Sequence, residues 1–246
     1  MMRISVSLFL MCFVIYASQE FKNLKLDVES GIAFSGYNDV RIPNDGGTLF
    51  SLSEELKAEP TFFYRIRTIY RFKNRHYLGL LLAPLKIHSS GKLNKNLIFQ
   101  NDTFPANTEL EAMFKFNSYR IFYWYDIVRR EKLVFGLGFT AKIRDAKIRI
   151  KSKNIESENS NVGFVPIIHF RFIYRLNPKL SFLVDGDALV APQGRAEDIL
   201  TAIKFNLNDK INFKLGYRIL EGGSDSETVY TFALIHYGVL GVEVKF

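Results

Sequence analysis

The sequence predicts an all-β protein: a transmembrane antiparallel β-barrel of about ten strands with both termini on the periplasmic side. Three observations predict it. An apolar leader opens the chain, alternating segments of about ten residues follow, and the connections between them alternate between short and long. Successive side chains on a strand point to opposite faces, so alternation puts apolar groups on one face and charge on the other. Transmembrane barrels carry their lipid-facing half in this form.

The leader "MMRISVSLFLMCFVIYASQE" has one arginine, an uncharged run from Ile4 to Tyr16, and small residues at Ala17 and Ser18. This pattern is that of a secretory signal peptide over residues 1–18, cleaved between Ala17 and Gln19, with the barrel filling 20–246. The run falls short of the ~20 apolar residues a spanning helix needs. Cys12 lies inside it without the small residues that precede a lipidated cysteine. The exported chain is therefore expected to be free of disulfides. Although 48% of the residues are hydrophobic and 15% aromatic, the mean hydropathy is +0.00, because averaging along the chain cancels an alternating pattern.

The segments run in order. "LKLDVESGIAF" sets Leu24, Leu26, Val28, Ile32 and Phe34 against Lys25, Asp27 and Glu29. "FFYRIRTIYRF" sets Phe62, Tyr64, Ile66, Tyr70 and Phe72 against Arg65, Arg67 and Arg71. Segments three and four, at 77–88 and 108–126, are ambiguous in phase. "LVFGLGFTAKIR" (133–144) and "FVPIIHFRFIYR" (164–175) alternate again, with Lys142 and Arg144, then His169, Arg171 and Arg175, on the polar face. Segments at 180–190 and 197–207, then "INFKLGYRI" (211–219) and 228–246, complete ten. Large aromatics facing arginines fit a soluble barrel poorly, since its apolar side must face inward.

Short connections at 73–76, 126–132, 177–179 and 208–210 are turn-type clusters. Longer ones are expected near 36–60, 89–107, 151–161, 191–196 and 221–227. Short periplasmic turns and longer outer loops are the asymmetry of an outer-membrane barrel. The last segment, "LGVEVKF", alternates up to Phe246. A closed wall needs this strand paired with the first, because unpaired backbone in lipid costs several kcal/mol per group.

Several segments resemble one family of uncharacterised Gram-negative outer-membrane β-barrel proteins: "RIPNDGGTLFSL", "FNSYRIFYWY", "GLGFTAKIRDAKIRI", "DGDALVAPQGRAED" and "GYRILEGGSDSETVYTFALIHY". The resemblance implies a barrel and an outer-membrane location and carries no activity. The terminal Phe246 is similar to the C-terminal signature read by the bacterial outer-membrane assembly machinery, which makes that machinery an expected partner.

Strand direction places Asp185 and Asp187 near the outer end of strand seven, followed by Arg195, Glu197 and Asp198, with Arg218, Glu221, Arg65 and Arg144 at a similar level. These are the candidates for a luminal charge network. The interior of a barrel this narrow is largely filled by side chains, and buried charges need partners. The function expected is therefore a structural or surface-interaction role around a charged, largely filled lumen, more plausibly non-enzymatic. A small pore is one alternative. Outer-rim enzymes are another: an omptin-like protease using Asp185 and Asp187 with His169 or His236, or a lipid-A hydrolase using "HSSG" at 88–91.

The net charge of +8 and pI near 9.4 suit contact with lipopolysaccharide phosphates and anionic headgroups. Export argues against nucleic acid as a partner. No Cys/His cluster suggests a metal and no glycine-rich loop suggests a nucleotide, so no cofactor is expected, and the chain is expected to be monomeric. Deleting Phe246 is expected to lower the heat-modifiable, folded protein in outer-membrane fractions; wild-type levels of the deletion variant would remove its role as an assembly signal.

Overall fold

The computed structural model describes residues 23–192 and 194–246; the signal peptide expected over 1–18 lies outside the described residues. Ten long strands form the wall: β1 (Leu24–Arg41), β2 (Thr61–Lys73), β3 (His76–Ala83, continued by Lys86–Lys92), β4 (Glu109–Arg129), β5 (Leu133–Lys151), β6 (Glu156–Arg175), β7 (Leu180–Ala191), β8 (Gly194–Asn206), β9 (Ile211–Asp225) and β10 (Tyr230–Lys245). Each is antiparallel to its sequence neighbours, and β10 pairs with β1 from Lys25↔Lys245 to Arg41↔Tyr230. The sheet is a closed ten-stranded antiparallel barrel.

Closure takes the last residue with it. The Phe246 amide donates to the Leu24 carbonyl at 2.9 Å, and the Asn23 amide donates to the Phe246 carbonyl at 3.3 Å. Both described ends of the chain thus lie at the end of the barrel that carries the short turns. Where β1 crosses β10, Gly31 has φ +148 and faces Gly238; a Cβ on Gly31 would sit 2.0 Å from the Gly238 carbonyl oxygen. Only glycine permits that approach.

The alternation sorts faces as the sequence suggests. Phe62, Phe139, Phe164, Leu215 and Leu240 point outward and are exposed, while Asp27, Glu29, Arg65, Arg67, Lys142, Arg171 and Lys214 point inward and are buried. The outward apolar surface runs around the barrel, far beyond what a water-soluble monomer normally exposes. The structure also fixes the phase of β3 and β4. Leu81, Ala83 and Ile87 face in and Leu78, Leu80 and Leu82 face out; Phe122 and Trp124 face in and Ile121 faces out.

Strand lengths depart from the expected loops. Residues 156–161 belong to β6, 194–196 to β8 and 221–225 to β9. The β4–β5–β6 wall stands tall, whereas β7 ends at Ala191 and β8 begins at Gly194. Above the Ile168↔Ala188 pair, the only strand that β6 pairs with among the described residues is β5.

The segments at 42–60 and 93–108 fold inward over the mouth opposite the short turns. A small hairpin of Leu97–Phe99 and Asp102–Phe104 sits there, and its Phe99 carbonyl accepts a 3.4 Å hydrogen bond from the Ser157 hydroxyl. Ile42, Phe50, Leu52, Leu56, Phe99 and Phe104 pack with Ile148 and Ile150 into an apolar dome of buried residues. Phe104→Ala is expected to cost about 3–5 kcal/mol, confined to the dome: limited proteolysis should cut within 93–108 while the barrel remains heat-modifiable.

Candidate functional site: a charged belt inside the barrel

Beneath the dome the inner face is charged. Among the described residues eight cations of Lys or Arg type and seven carboxylates are buried, so the interior is close to neutral and most charges have a partner. Asp198 on β8 is the hub. One oxygen accepts from Arg65 Nη2 at 2.8 Å and from Arg120 Nη2, and the other accepts from Arg218 Nη1 at 2.5 Å. Arg218 also donates to Glu29 at 2.7 Å, and Lys214 joins Glu29 at 2.8 Å to Asp27 at 2.7 Å.

A second group centres on Asp185, which accepts from Arg67 Nη1 at 2.7 Å and from Arg171 Nη1. Asp187 accepts from Arg120 and from Thr140 Oγ1 at 2.5 Å, and pairs with His169 Nδ1 at 3.0 Å. Nearer the short turns, Glu243 accepts from Lys204 at 2.8 Å and from Asn212 Nδ2 at 2.7 Å, with Lys25 at 3.1 Å. Every strand except β3 contributes to these contacts. The register builds part of the belt directly, setting Asp27 opposite Arg67, Glu29 opposite Arg65 and Arg171 opposite Asp185. It also sets Asp187 opposite Asp198, a repulsive placement that Arg120 relieves by reaching both. Gly136 leaves room for the Trp124 ring, whose Cδ1 would lie 2.5 Å from a Cβ there; Trp124 stacks on Tyr77 with centroids 4.5 Å apart.

Of the candidate residues, Asp185, Asp187, Asp198, Arg65 and Arg218 lie in the belt. Arg195 and Glu221 do not. They stand on the outward parity of β8 and β9, bonded to each other at 2.7 Å and to Tyr37, near the dome end of the barrel. Each is an odd-numbered position on a strand whose inward residues are even. Burial, then the hydrogen bond to Glu221, pushes the Tyr37 hydroxyl up. Arg144 keeps inward parity but sits above the belt, donating to Asn161 Oδ1 at 2.6 Å, since β7 is too short to offer it a carboxylate. Arg67, Arg120, Arg171, Lys204, Lys214, Asp27, Glu29 and Glu243 complete the belt, and the sequence signal for them was inward parity alone.

The residues of the alternative enzyme readings are occupied or separated. Asp185 and Asp187 are held by arginines under the dome, and His236 contacts the Tyr217 hydroxyl on the outer face. In "HSSG", His88 faces out and Ser89 faces in, so they do not meet.

Outside, above the apolar surface, Lys86, Lys115 and Lys147 stand directly opposite one another across β3, β4 and β5. Asp145 pairs with Lys115 and Glu158 with Lys147, each at 2.7 Å. The hydrogen bond from Lys115 is the leading cause that holds Asp145 below the usual carboxylate range. Asp145 and Glu158 offset the repulsion of like charges facing across strands for Lys115 and Lys147, while Lys86 has no ion pair among the described residues.

No family model matches the chain, and no curated protein matches its sequence. Solved structures do. The outer membrane protease OmpT from Escherichia coli is similar with a TM-score of 0.56 at 8% identity, over 91% of this chain and 97% of that one. Ail of Yersinia pestis matches at 0.38 and 13% identity over 90% and 98% of the two chains. Neisserial surface protein A matches at 0.37 and 13% over 92% and 98%. The chain has the fold of the Gram-negative outer-membrane β-barrels. At 8% identity the likeness to OmpT carries the fold and no activity.

Removing one member of the belt leaves cations without a partner, which typically costs 3–5 kcal/mol. Asp198→Asn is therefore expected to lower unfolding stability in urea by about that amount. Arg195→Ala, at an exposed pair, should change it by no more than about 1 kcal/mol.

Proposed function

We propose that this chain is an integral outer-membrane protein with a structural or surface-interaction role, exported by its signal peptide and closed to solute flow. The short turns then face the periplasm and the dome faces outward. The observation that carries the reading is the filled interior: a nearly neutral ion-pair belt drawn from nine strands, capped by an apolar dome. Ten strands enclose too little space to leave a channel beside such a filling. The ring of exposed apolar residues supports insertion in a bilayer, and the paired Phe246 supports assembly by the outer-membrane machinery, with the monomer as the working unit.

The partner class is anionic lipid at the outer surface. Lys86, Lys115 and Lys147 form a row just beyond the apolar ring, where lipopolysaccharide phosphates would sit; Asp145 and Glu158 answer two of the three charges, and a phosphate would answer the third and add charge-assisted hydrogen bonds to its neighbours. The enzymatic readings lose support because their carboxylates are neutralised and covered.

Reconstituted in planar bilayers, the protein is expected to leave the baseline current flat; regular conductance steps would establish a pore instead. Lys86→Glu with Lys147→Glu should reduce the lipopolysaccharide that copurifies with the barrel, and unchanged copurification would remove the row from that contact.

A further inference from the structure

The lumen is not filled equally at its two ends. Toward the short turns the wall encloses a cavity of about 230 Å³, room for about seven waters at ~30 Å³ each or an anion of similar bulk. Six cations line it: Lys25, Arg129, Arg171, Arg175, Lys204 and Lys245. The carboxylates facing it are Asp126 and Glu243. The buried members of this lining balance, Arg171 and Lys204 against Asp126 and Glu243; the positive excess comes from half-buried Lys25 and from Arg129, Arg175 and Lys245, which are exposed at the mouth.

Arg171 is held through Nη1 by Asp185, and the two lining carboxylates cannot serve the five cations that remain. Glu243 is shared among Lys204 at 2.8 Å, Lys25 at 3.1 Å and Arg171 at 4.0 Å. Asp126 accepts the Trp124 indole N–H at 3.1 Å. Arg175 donates to the backbone carbonyls of Arg130 and Glu131, and Arg129 donates to Asn74 Oδ1 at 3.2 Å. No carboxylate lies within ion-pair distance of Lys245 among the described residues. Lys25 and Lys204 each retain N–H donors beyond their contact with Glu243. Asn212 Oδ1, buried at the same floor, is an acceptor without a partner; it calls for a donor such as water, so the anion's contacts fall on the lysines and Arg171. A cleft of one charge sign with low-dielectric walls concentrates counter-ions, and partly buried cations gain when an anion completes their coordination.

We propose that this cavity is a binding site for a small, multiply charged oxyanion of phosphate type that enters from the short-turn end. Lys25, Lys204 and the free side of the Arg171 guanidinium form its floor, and Lys245 stands at its mouth. Two to three charges on the ligand answer the local excess. The ligand chemistry is shared by a soluble phosphate compound and a phospholipid headgroup. The position of the cations on the inner face selects the soluble one, because headgroups lie outside the wall.

The test uses the full mature barrel refolded in uncharged detergent and titrated with sodium pyrophosphate at low ionic strength by calorimetry. Saturable binding of one pyrophosphate per barrel is expected, with a rise in unfolding temperature. Lys25→Gln with Lys204→Gln should weaken it at least tenfold. Because that pair also neutralises Glu243 and its loss weakens the fold, Lys245→Gln provides a second arm: affinity should fall several-fold with the unfolding temperature of the ligand-free protein unchanged. Lys86→Gln with Lys147→Gln, on the outer face, should bind as the wild type does. The proposal is overturned if pyrophosphate does not saturate, if the outer-face variant loses binding as the luminal ones do, or if binding appears only when phosphatidylglycerol vesicles replace pyrophosphate.

Discussion

A closed wall of ten strands has an inner face that nothing but its own side chains can fill, and here that face is charged. Every other feature follows from the need to neutralise it. Charges removed from water are tolerated only in pairs with good geometry, so carboxylates and guanidinium groups must meet across strands far apart in sequence. Asp198 shows how tightly this is drawn: the arginines it binds come from β2, β4 and β9. The strand register is then held from inside by ion pairs as well as by backbone bonding. A one-residue slip would turn each charge toward the apolar exterior.

Where the outward face is apolar and the inward face charged, the sequence spoke clearly. β1, β2, β5, β6 and β9 were legible in phase because charge and aromatic residues alternate there without interruption, but of these only β2 was close in extent. β3 and β4 were not, and the reason is physical. Their inner faces border the apolar groups Leu81, Ala83, Phe122 and Trp124, so both faces look alike in "YLGLLLA" and "YRIFYWY". The upper parts of β5, β6 and β9 failed for the opposite reason. In 156–161 and 221–225 both faces are polar, which gives a strand the composition of a loop; in upper β5 the inward Ile148 and Ile150 belong to the dome, whose existence the sequence did not announce.

Pairing within the belt was less legible than its existence. Parity assigns a face and leaves height and azimuth unknown. That is enough to put Asp185, Asp187 and Asp198 inside, yet the same reasoning misplaced Arg195 and Glu221. Their neighbours along the chain gave a sense of level, but parity puts them outside: Glu221 continues the odd-numbered outward set Ile211 to Ile219 of β9, and Arg195 is odd on β8, whose inward residues are even. The dome was hidden altogether. Its residues lie in two segments rich in Gly, Ser and Asn, and their few apolar side chains, among them Ile42, Phe50, Leu97 and Phe99, become a core only when the two segments meet.

The unequal height of the strands has a consequence for how the molecule sits among its neighbours. With β4, β5 and β6 rising beyond the turn that joins β7 to β8, the rim is a ramp, high on one side and low on the other. A cylinder with a level rim offers the same profile in every direction and has no heading in the plane of a membrane. This one has a front and a back. Molecules crowding against it meet a polar, cation-bearing screen from one side and a bare shoulder from the other, so rotation about its axis changes what it presents.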